Sequence, residues 1–508
     1  MSLPKNRVRA HRPLPADCRT NVHTGRCVSG RNNRAVIGAA VPSGFRLGSP
    51  FLIGLIVLAG FGCVLGAKNA VASAKMSSVS QHGVTWHFEE ARPTGRYVNG
   101  DWWVLGPVTI TNISPESVEV DGRVMHGSML NPPASNSQGY DSNVPTQMPY
   151  EEDLNVAPSR TGRPLVIREG SVVSAISLGE RHHRFGNRWL SDMAVLTAVE
   201  EEPDEGAFRP FPHSESKRSF WHYGDLNYEI LQTLPIPDSA PNLQSLANQF
   251  ERYHNPHSTG WFAQRLIPIN NWPGNAYGRE FANRIGLAML ALHLDLPQDQ
   301  KRDLFVNLVQ LGLDIYGRVV SRNGANWYAD GGHNVGRMPA LAFAALALGD
   351  PEMLAMVRGG TRDSIAGFQE DQQTFIVAEA DVGRKLRTAD RTEYTEDDVG
   401  MPEWGVRHYS RPEDDDRSWT NPGYRFIGAT MVTTALGIEL IPNGRAAFNW
   451  EPYFLYARRY LEKEGGDHAQ IGRPGSTNGI PLFAIDMWET FLALETVAPP
   501  KPPVVRVE

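Results

Sequence analysis

Residues able to move protons and hold anions gather in a few short stretches of this chain. One, Asn323 to Gly349, sets Asn326, Trp327, Tyr328, Asp330, His333, Asn334 and Arg337 around the Gly331-Gly332 pair, directly ahead of the apolar run Met338 to Leu348. An Ala- and Leu-rich run of that kind reads as a buried helix, and a buried helix holds the polar residues at its start in fixed positions. His333 is a candidate for chemistry on that ground; it reads equally as a satisfied buried imidazole, with Asp330 or Asn334 capping the helix. A second stretch, Asn270 to Arg279, carries Trp272, Asn275 and Tyr277 just before a helix expected to start near Glu280. A third gathers Arg384, Lys385, Arg387, Arg391 and Tyr394. Two more follow: Glu403, Trp404, Arg407 and His408, then Trp419, Asn421, Tyr424 and Arg425. Basic residues concentrated between 384 and 425 describe either a locally positive cleft for an anionic substrate or ordinary pairing with Glu393, Glu396, Asp397 and Asp398.

What chemistry do Asn, His, Arg and Tyr perform without a thiolate or a metal? Cys18, Cys27 and Cys63 are the chain's cysteines, and all precede Ala74. The His, Asp and Glu positions lack metal-ligand spacing, and GGHNVGR is not a dinucleotide fingerprint. Proton abstraction beside a carboxylate fits, as in β-elimination of a polyuronic acid. The C5 proton of a uronate is weakly acidic, so its removal requires the carboxylate charge to be neutralised while negative charge builds there. Asn amides, a cationic His or an Arg do this through directed hydrogen bonds. A tyrosine deprotonated beside Arg can take the proton, and the same hydroxyl can return it to the O4 leaving group when both lie on one side of the ring. The step requires no cofactor; a structural cation is compatible with the sequence but not indicated by it.

The elements that must position these residues follow a change of pattern near residue 212. From about Ser80, the segments VTWHF, WWVLGPVTITNI, VEVDGRVM, PLVIREGSVVSAI and MAVLTAVE are rich in Val, Ile and Thr and separated by Gly, Pro and Asn turns, the signature of strands. Within them, Tyr97 to Gly106 sets three aromatics around an Asn-Gly turn, to fill a small core or to stack on a sugar, and the polar loop after His126 could reach over a neighbouring cleft. Beyond the acid- and Pro-rich boundary, helices are expected over 240–254, 278–295, 299–319, 335–348, 361–379, 424–440, 450–464 and 482–496. Helices in series without strands between them suggest a mainly α architecture, an (α/α) toroid or incomplete barrel, with an N-terminal β-rich domain or extension. The expected divisions are 1–74, 76–212 and 213–508.

Charge and hydropathy supply an address. Residues 1–74 hold ten Lys or Arg against Asp17, a balance of +9 within a chain of net charge −7, so the remainder carries −16. That acidity argues against nonspecific nucleic-acid binding. Phe51 to Gly66 is apolar and is followed by small residues at Ala72 and Ala74, the pattern of a secretory signal peptide cut after Ala74. The expectation is a secreted or periplasmic protein with no membrane attachment after cleavage.

Four of these stretches together, GGHNVGR with its Ala/Leu-rich helix, the NxxGNAYGR loop, Tyr394 followed by PEWGVRH, and SWTNPGYR, resemble polysaccharide lyases with helical toroid folds, most closely family 38. The resemblance covers roughly residues 215–500. It implies an (α/α)7 barrel and a lyase for alginate, especially its mannuronate portions, or for glucuronan. It also implies that His333 is the catalytic histidine, Tyr394 the acid/base, Asn275 the carboxylate-neutralising asparagine and Arg387 the arginine assisting the tyrosine. Arg391, Arg407, His408, Tyr424, Tyr277, Asn334, Trp272 and Trp327 are then candidates for binding an anionic polysaccharide. Two other activities fit the same residues: a glycoside hydrolase, with acids such as Asp330 and Glu403 flanking one bond, and an exported glycan-binding protein without catalysis.

Overall fold

Alternation of apolar and polar residues makes the first part of the chain a sheet. The computed structural model describes residues 73–133, 135–144, 147–182, 188–212, 221–256, 263–272, 277–321, 326–328, 332–357, 367–383, 394–404, 425–464 and 480–497. Strands β1 (Ala74–Gln81), β2 (Val84–Arg96), β3 (Trp102–Leu105), β4 (Val108–Ser114), β5 (Val118–Val120), β6 (Arg123–Met125), β7 (Ser128–Leu130), β8 (Leu165–Ile167), β9 (Gly170–His182) and β10 (Arg188–Val199) follow in order, with the one-turn helix α1 (Pro158–Thr161) before β8. All but β5 and β6 join one eight-stranded sheet ordered β7-β9-β10-β3-β2-β4-β8, with β1 paired to β2. The β10–β3 pairing is parallel and the others are antiparallel. Val84, Trp86 and Phe88 of β2 share one buried face with Val104, Ile110, Val172 and Leu196. Val173, Ala175, Met193 and Val195 point the other way, into a second cluster with Tyr253 and Leu266. Strand β10 is therefore covered on both faces, which explains its nearly continuous apolar run MAVLTAV. The loop after His126 folds back on its own sheet and does not reach over a cleft: Gln138, Tyr140 and Asp141 are fully buried, and Asp141 takes Arg123 at 2.6 and 3.0 Å.

The later chain forms α2 (Leu243–Phe250), α3 (Gly278–Leu292), α4 (Gln298–Val320), α5 (Arg337–Leu348), α6 (Pro351–Met356), α7 (Gln369–Gln373), α8 (Arg425–Glu439), α9 (Gly444–Phe448), α10 (Glu451–Glu464) and α11 (Leu482–Val497). Helix α3 packs along α8, α4 along α5 and α8 along α10. Two close approaches need glycine: a Cβ on Gly286 would lie 2.3 Å from Thr433 Oγ1 of α8, and one on Gly312 would lie 2.3 Å from Ala344 Cβ of α5.

This architecture overturns the expectation of a mainly α toroid, and with it the (α/α)7 barrel that the resemblance implied. The sheet is a large, curled, mixed layer. The helical part is also interrupted by β11 (Asn326–Trp327) paired with β12 (Gly367–Phe368), and by β13 (Thr374–Ile376) paired with β14 (Pro402–Trp404). Where one helix is expected over 361–379, the described residues run β12, α7, β13. Helical spacing of apolar residues is a local signal; pairing between segments distant in the chain, Asn326 with Gly367 or Thr374 with Trp404, leaves none. The apolar run Phe51 to Gly66, and Cys18, Cys27 and Cys63, lie outside the described residues, whereas Ala74, the expected last residue of the signal peptide, opens β1 and pairs with Thr94.

The sheet is joined to the helices through α4. Asn307, Gln310, Asp314 and Arg318 recur every three or four residues on α4 and are all buried. Arg209, beyond the end of β10, enters this stripe: it donates to Asp314 at 2.6 and 2.8 Å and to Asp101 Oδ2 at 2.5 Å, while its main chain exchanges two 3.0 Å bonds with the Gln310 side chain. Asp101, between β2 and β3, is held in turn by Gln81 and Asn99, each at 2.8 Å. Arg209→Met leaves two buried carboxylates without their cation and should lower unfolding stability by about 3–5 kcal/mol in urea titrations. A loss under about 1 kcal/mol would show that the seam is held by apolar packing instead.

Candidate active site

His333 sits where the start of α3 meets the start of α5. Its imidazole is half-buried, with its centroid 4.1 Å from that of Tyr277, the residue just before α3, at 60°. The approach depends on Gly278, because a Cβ there would lie 2.2 Å from Gly332 O and 2.3 Å from His333 O. Arg279 stands 5.7 Å from the Tyr277 ring and donates to Glu280 Oε1 at 2.5 Å.

The main chain around His333 is gripped by side chains from elsewhere. Asn334 N donates to Gln369 Oε1 at 2.8 Å and Gly336 N to Glu370 Oε1 at 2.5 Å, both acceptors on α7. Arg337 Nη1 donates to His333 O at 3.0 Å and Val335 O at 2.9 Å, with its guanidinium 4.2 Å over Phe281. Asn334 Nδ2 donates to Tyr328 O at 2.9 Å. Gly332 and Gly336 take φ of +97° and +96°, in the left-handed region that favours glycine. Burial lowers Arg337 to about 10 and raises Glu370 to about 7, with Arg337 pulling the latter back.

Cationic groups crowd this end of α3. Trp272 lies between Arg188 at 5.3 Å and Arg284 at 4.9 Å. Burial, reinforced by Arg284, brings Arg188 down to about 9; burial, offset by Glu280, brings Arg284 to about 10. Arg188 donates to the carbonyls of Ile267, Pro268 and Trp272 at 3.1, 2.9 and 2.8 Å. Among the described residues, Arg188, Arg279, Arg284 and Arg337 here stand against Glu280, Glu370 and Asp371.

The residues singled out in the sequence divide three ways. His333, Tyr277 and Asn334 come together, with Asn334 fully buried as a brace. Trp272 and Trp327 are core residues at 0% and 2% exposure, Trp327 stacked on Phe368 at 5.8 Å, so neither presents a face to a sugar. Tyr394 is 1% exposed, packed with Phe375, Val377 and Met401, and its carbonyl accepts from Gly383 N at 2.9 Å. Asn275, Asp330, Arg384, Lys385, Arg387, Arg391, Arg407, His408 and Tyr424 lie outside the described residues. Glu403 is 1% exposed and paired with Arg459 at 2.7 Å. Sequence reasoning missed Gln369 and Glu370; their signal is the polar run QEDQQ inside a segment that helical spacing would make half apolar. Among the described residues, no group of three or more His, Cys, Asp or Glu side chains could hold a metal, and no helix is long and apolar enough to cross a membrane. No protein-family model, curated protein or solved structure matches this chain.

Two outcomes follow from this geometry. Gly278→Ala forces two backbone carbonyls aside and should cost about 1–3 kcal/mol by thermal or urea unfolding. Gly224→Ala, where a Cβ meets nothing within 4 Å, is the control and should leave stability nearly unchanged. For Glu370, an unfolded glutamate loses its proton near 4.5 while the folded one holds it to about 7. Between those values the unfolded chain binds fewer protons, so stability falls as pH rises. Wild type should lose roughly 2–3 kcal/mol relative to Glu370→Gln between pH 4.5 and pH 7; parallel stability curves for the two proteins would contradict this.

Proposed function

We propose that this chain is a carbon–oxygen lyase that cleaves an anionic polyuronate, of the alginate (polymannuronate) or glucuronan type, by β-elimination. The observation that carries the reading is the contact of Tyr277 with His333: two half-buried proton-transfer groups with ring centroids 4.1 Å apart, His333 on a loop whose backbone is held by buried side chains. The surplus of arginine around the start of α3 favours a carboxylate-bearing substrate over a neutral one.

In this reaction a base takes the C5 proton, the electron pair forms the C4–C5 double bond, the C4–O4 bond breaks and the departing O4 receives a proton. His333, as imidazolium, stabilises the charge that develops on the uronate carboxylate, and Tyr277 moves the proton. Tyr277 takes this role in preference to Tyr394 because its ring lies half-buried against the imidazole, whereas Tyr394 is 1% exposed and packs, among the described residues, with Phe375, Val377 and Met401. The hydrolase alternative is disfavoured by Glu403, which is buried in an ion pair with Arg459. The proposal includes export, for which the apolar run Phe51 to Gly66 and the small residues at Ala72 and Ala74 argue.

The chain from residue 75 onward, incubated with polymannuronate, polyguluronate and glucuronan, should generate the ultraviolet absorbance of an unsaturated uronate on at least one of them. New reducing ends without that absorbance would sink elimination and favour hydrolysis; neither signal would favour binding without catalysis. Tyr277→Phe should lower kcat by about 100-fold or more, with polymer binding retained, because only proton transfer needs the hydroxyl. Tyr394→Phe should cost far less, and the reverse order would return the acid/base role to Tyr394.

A further inference from the structure

We infer that Glu370 is a positioning residue for His333: through the Gly336 amide its buried carboxyl sets where the His333 loop sits, and gain or loss of its proton moves that loop. The inference deepens the lyase reading and rests on it for the role of His333, but the mechanical link stands on the geometry alone.

Glu370 is 1% exposed and its two oxygens differ. Oε1 accepts from Gly336 N at 2.5 Å, whereas Oε2 is buried without a hydrogen-bond partner among the described residues. When ionised, the carboxylate pulls on the Gly336 N–H and on Arg337 with full charge but leaves Oε2 bare in a low-dielectric interior. When protonated, it relieves that cost and loosens its hold on the amide. Neither state is strongly preferred, consistent with a carboxyl that titrates at about 7. The groups facing it are Arg337 from α5, Tyr453 from α10 and Asp371 from its own helix. Tyr453, whose hydroxyl burial pushes well up, bonds Thr434 Oγ1 at 2.5 Å and stays neutral. Trp450 fixes the other side of α7, donating to Thr374 Oγ1 at 2.7 Å, and Thr374 donates to Glu370 O at 2.5 Å. The carboxyl thus hangs from a short helix tied down through Thr374 and accepts from a glycine amide.

That glycine is the natural point of movement. Gly336 is left-handed, three residues from His333 and directly before α5, and a Cβ there would meet Ala282 Cα of α3 at 2.9 Å. A stronger or weaker pull at the Gly336 amide is transmitted to His333, whose carbonyl shares Arg337 with Val335. On the other side His333 meets Tyr277, so displacement of the loop changes the contact proposed to carry the proton.

The test is magnetic resonance on the full chain, with nitrogen-labelled glycine and carbon-labelled histidine, the Gly336 and His333 signals being assigned through single-site variants. In wild type, the Gly336 amide should shift with a midpoint near pH 7, and the His333 ring should show that same transition beside its own titration. In Glu370→Gln, whose amide oxygen still accepts from Gly336, the shared transition should vanish from both signals while the protein stays folded. Persistence of the transition at His333 in that variant, or a Gly336 shift that His333 does not follow, would overturn the proposal. On a cleaved uronan, Glu370→Gln should also lose the matching inflection in kcat while KM stays within about twofold. A wild-type chain that cleaves no uronan refutes the lyase reading alone, and the resonance experiment still decides the coupling.

Discussion

One buried guanidinium, that of Arg209, ties the sheet to the longest of the described helices. It joins Asp101 in the β2–β3 connection to Asp314 on α4 and exchanges main-chain bonds with Gln310 one turn away. Two carboxylates and one cation inside a protein are costly unless every member is satisfied, and here Gln81, Asn99 and Gln310 complete the set. The polar stripe on α4 therefore fixes which face of that helix meets the sheet. Helix α5 packs along α4, and the loop that carries His333 enters at the first turn of α5.

The same economy governs the site itself. A loop with two left-handed glycines would ordinarily be mobile, yet its amides and carbonyls end on buried acceptors and donors from α7 and α5. Gripping the backbone leaves the His333 and Tyr277 rings half-open above a rigid base. Geometry of that kind suits proton transfer, which tolerates little misplacement of the reacting groups. It also makes the site sensitive to the charge state of Glu370, because a carboxyl with one oxygen bonded and one bare is finely balanced between its two forms.

Electrostatics and packing divide the aromatic residues in a way that composition alone does not show. Trp272 and Trp327, adjacent to polar loops in the sequence, are drawn inward: one between Arg188 and Arg284, the other against Phe368. A large apolar ring next to a polar stretch gains more by burial than by waiting in solvent, and two guanidiniums over the faces of Trp272 add attraction to that burial. Of the arginines around the start of α3, Arg188 and Arg337 spend their donors on buried carbonyls and Arg279 pairs with Glu280.

Local patterns were legible in the sequence because their causes are local. Apolar spacing marks α3, α4, α5, α8, α10 and α11 to within a few residues, and β-branched runs mark the strands of the sheet. His333 stands out by residue type four residues before α5, and Tyr277 directly before α3. Other features depend on partners distant in the chain. The parallel pairing of β3 with β10 and the pairing of β11 with β12 join segments whose own patterns do not name each other, so helices counted in series suggested a toroid that the sheet excludes. The part of Glu370 went unread for the same reason: the polar run QEDQQ marks the place, but the glutamate acquires its meaning only when folding brings it to the amide of Gly336 and removes it from water. Sequence alone determined the long helices and the strands of the sheet and singled out His333, while it assigned the proton to Tyr394 and only a binding role to Tyr277. The tertiary structure decided which tyrosine meets the histidine and what holds it there, because contact and burial are properties of the folded chain.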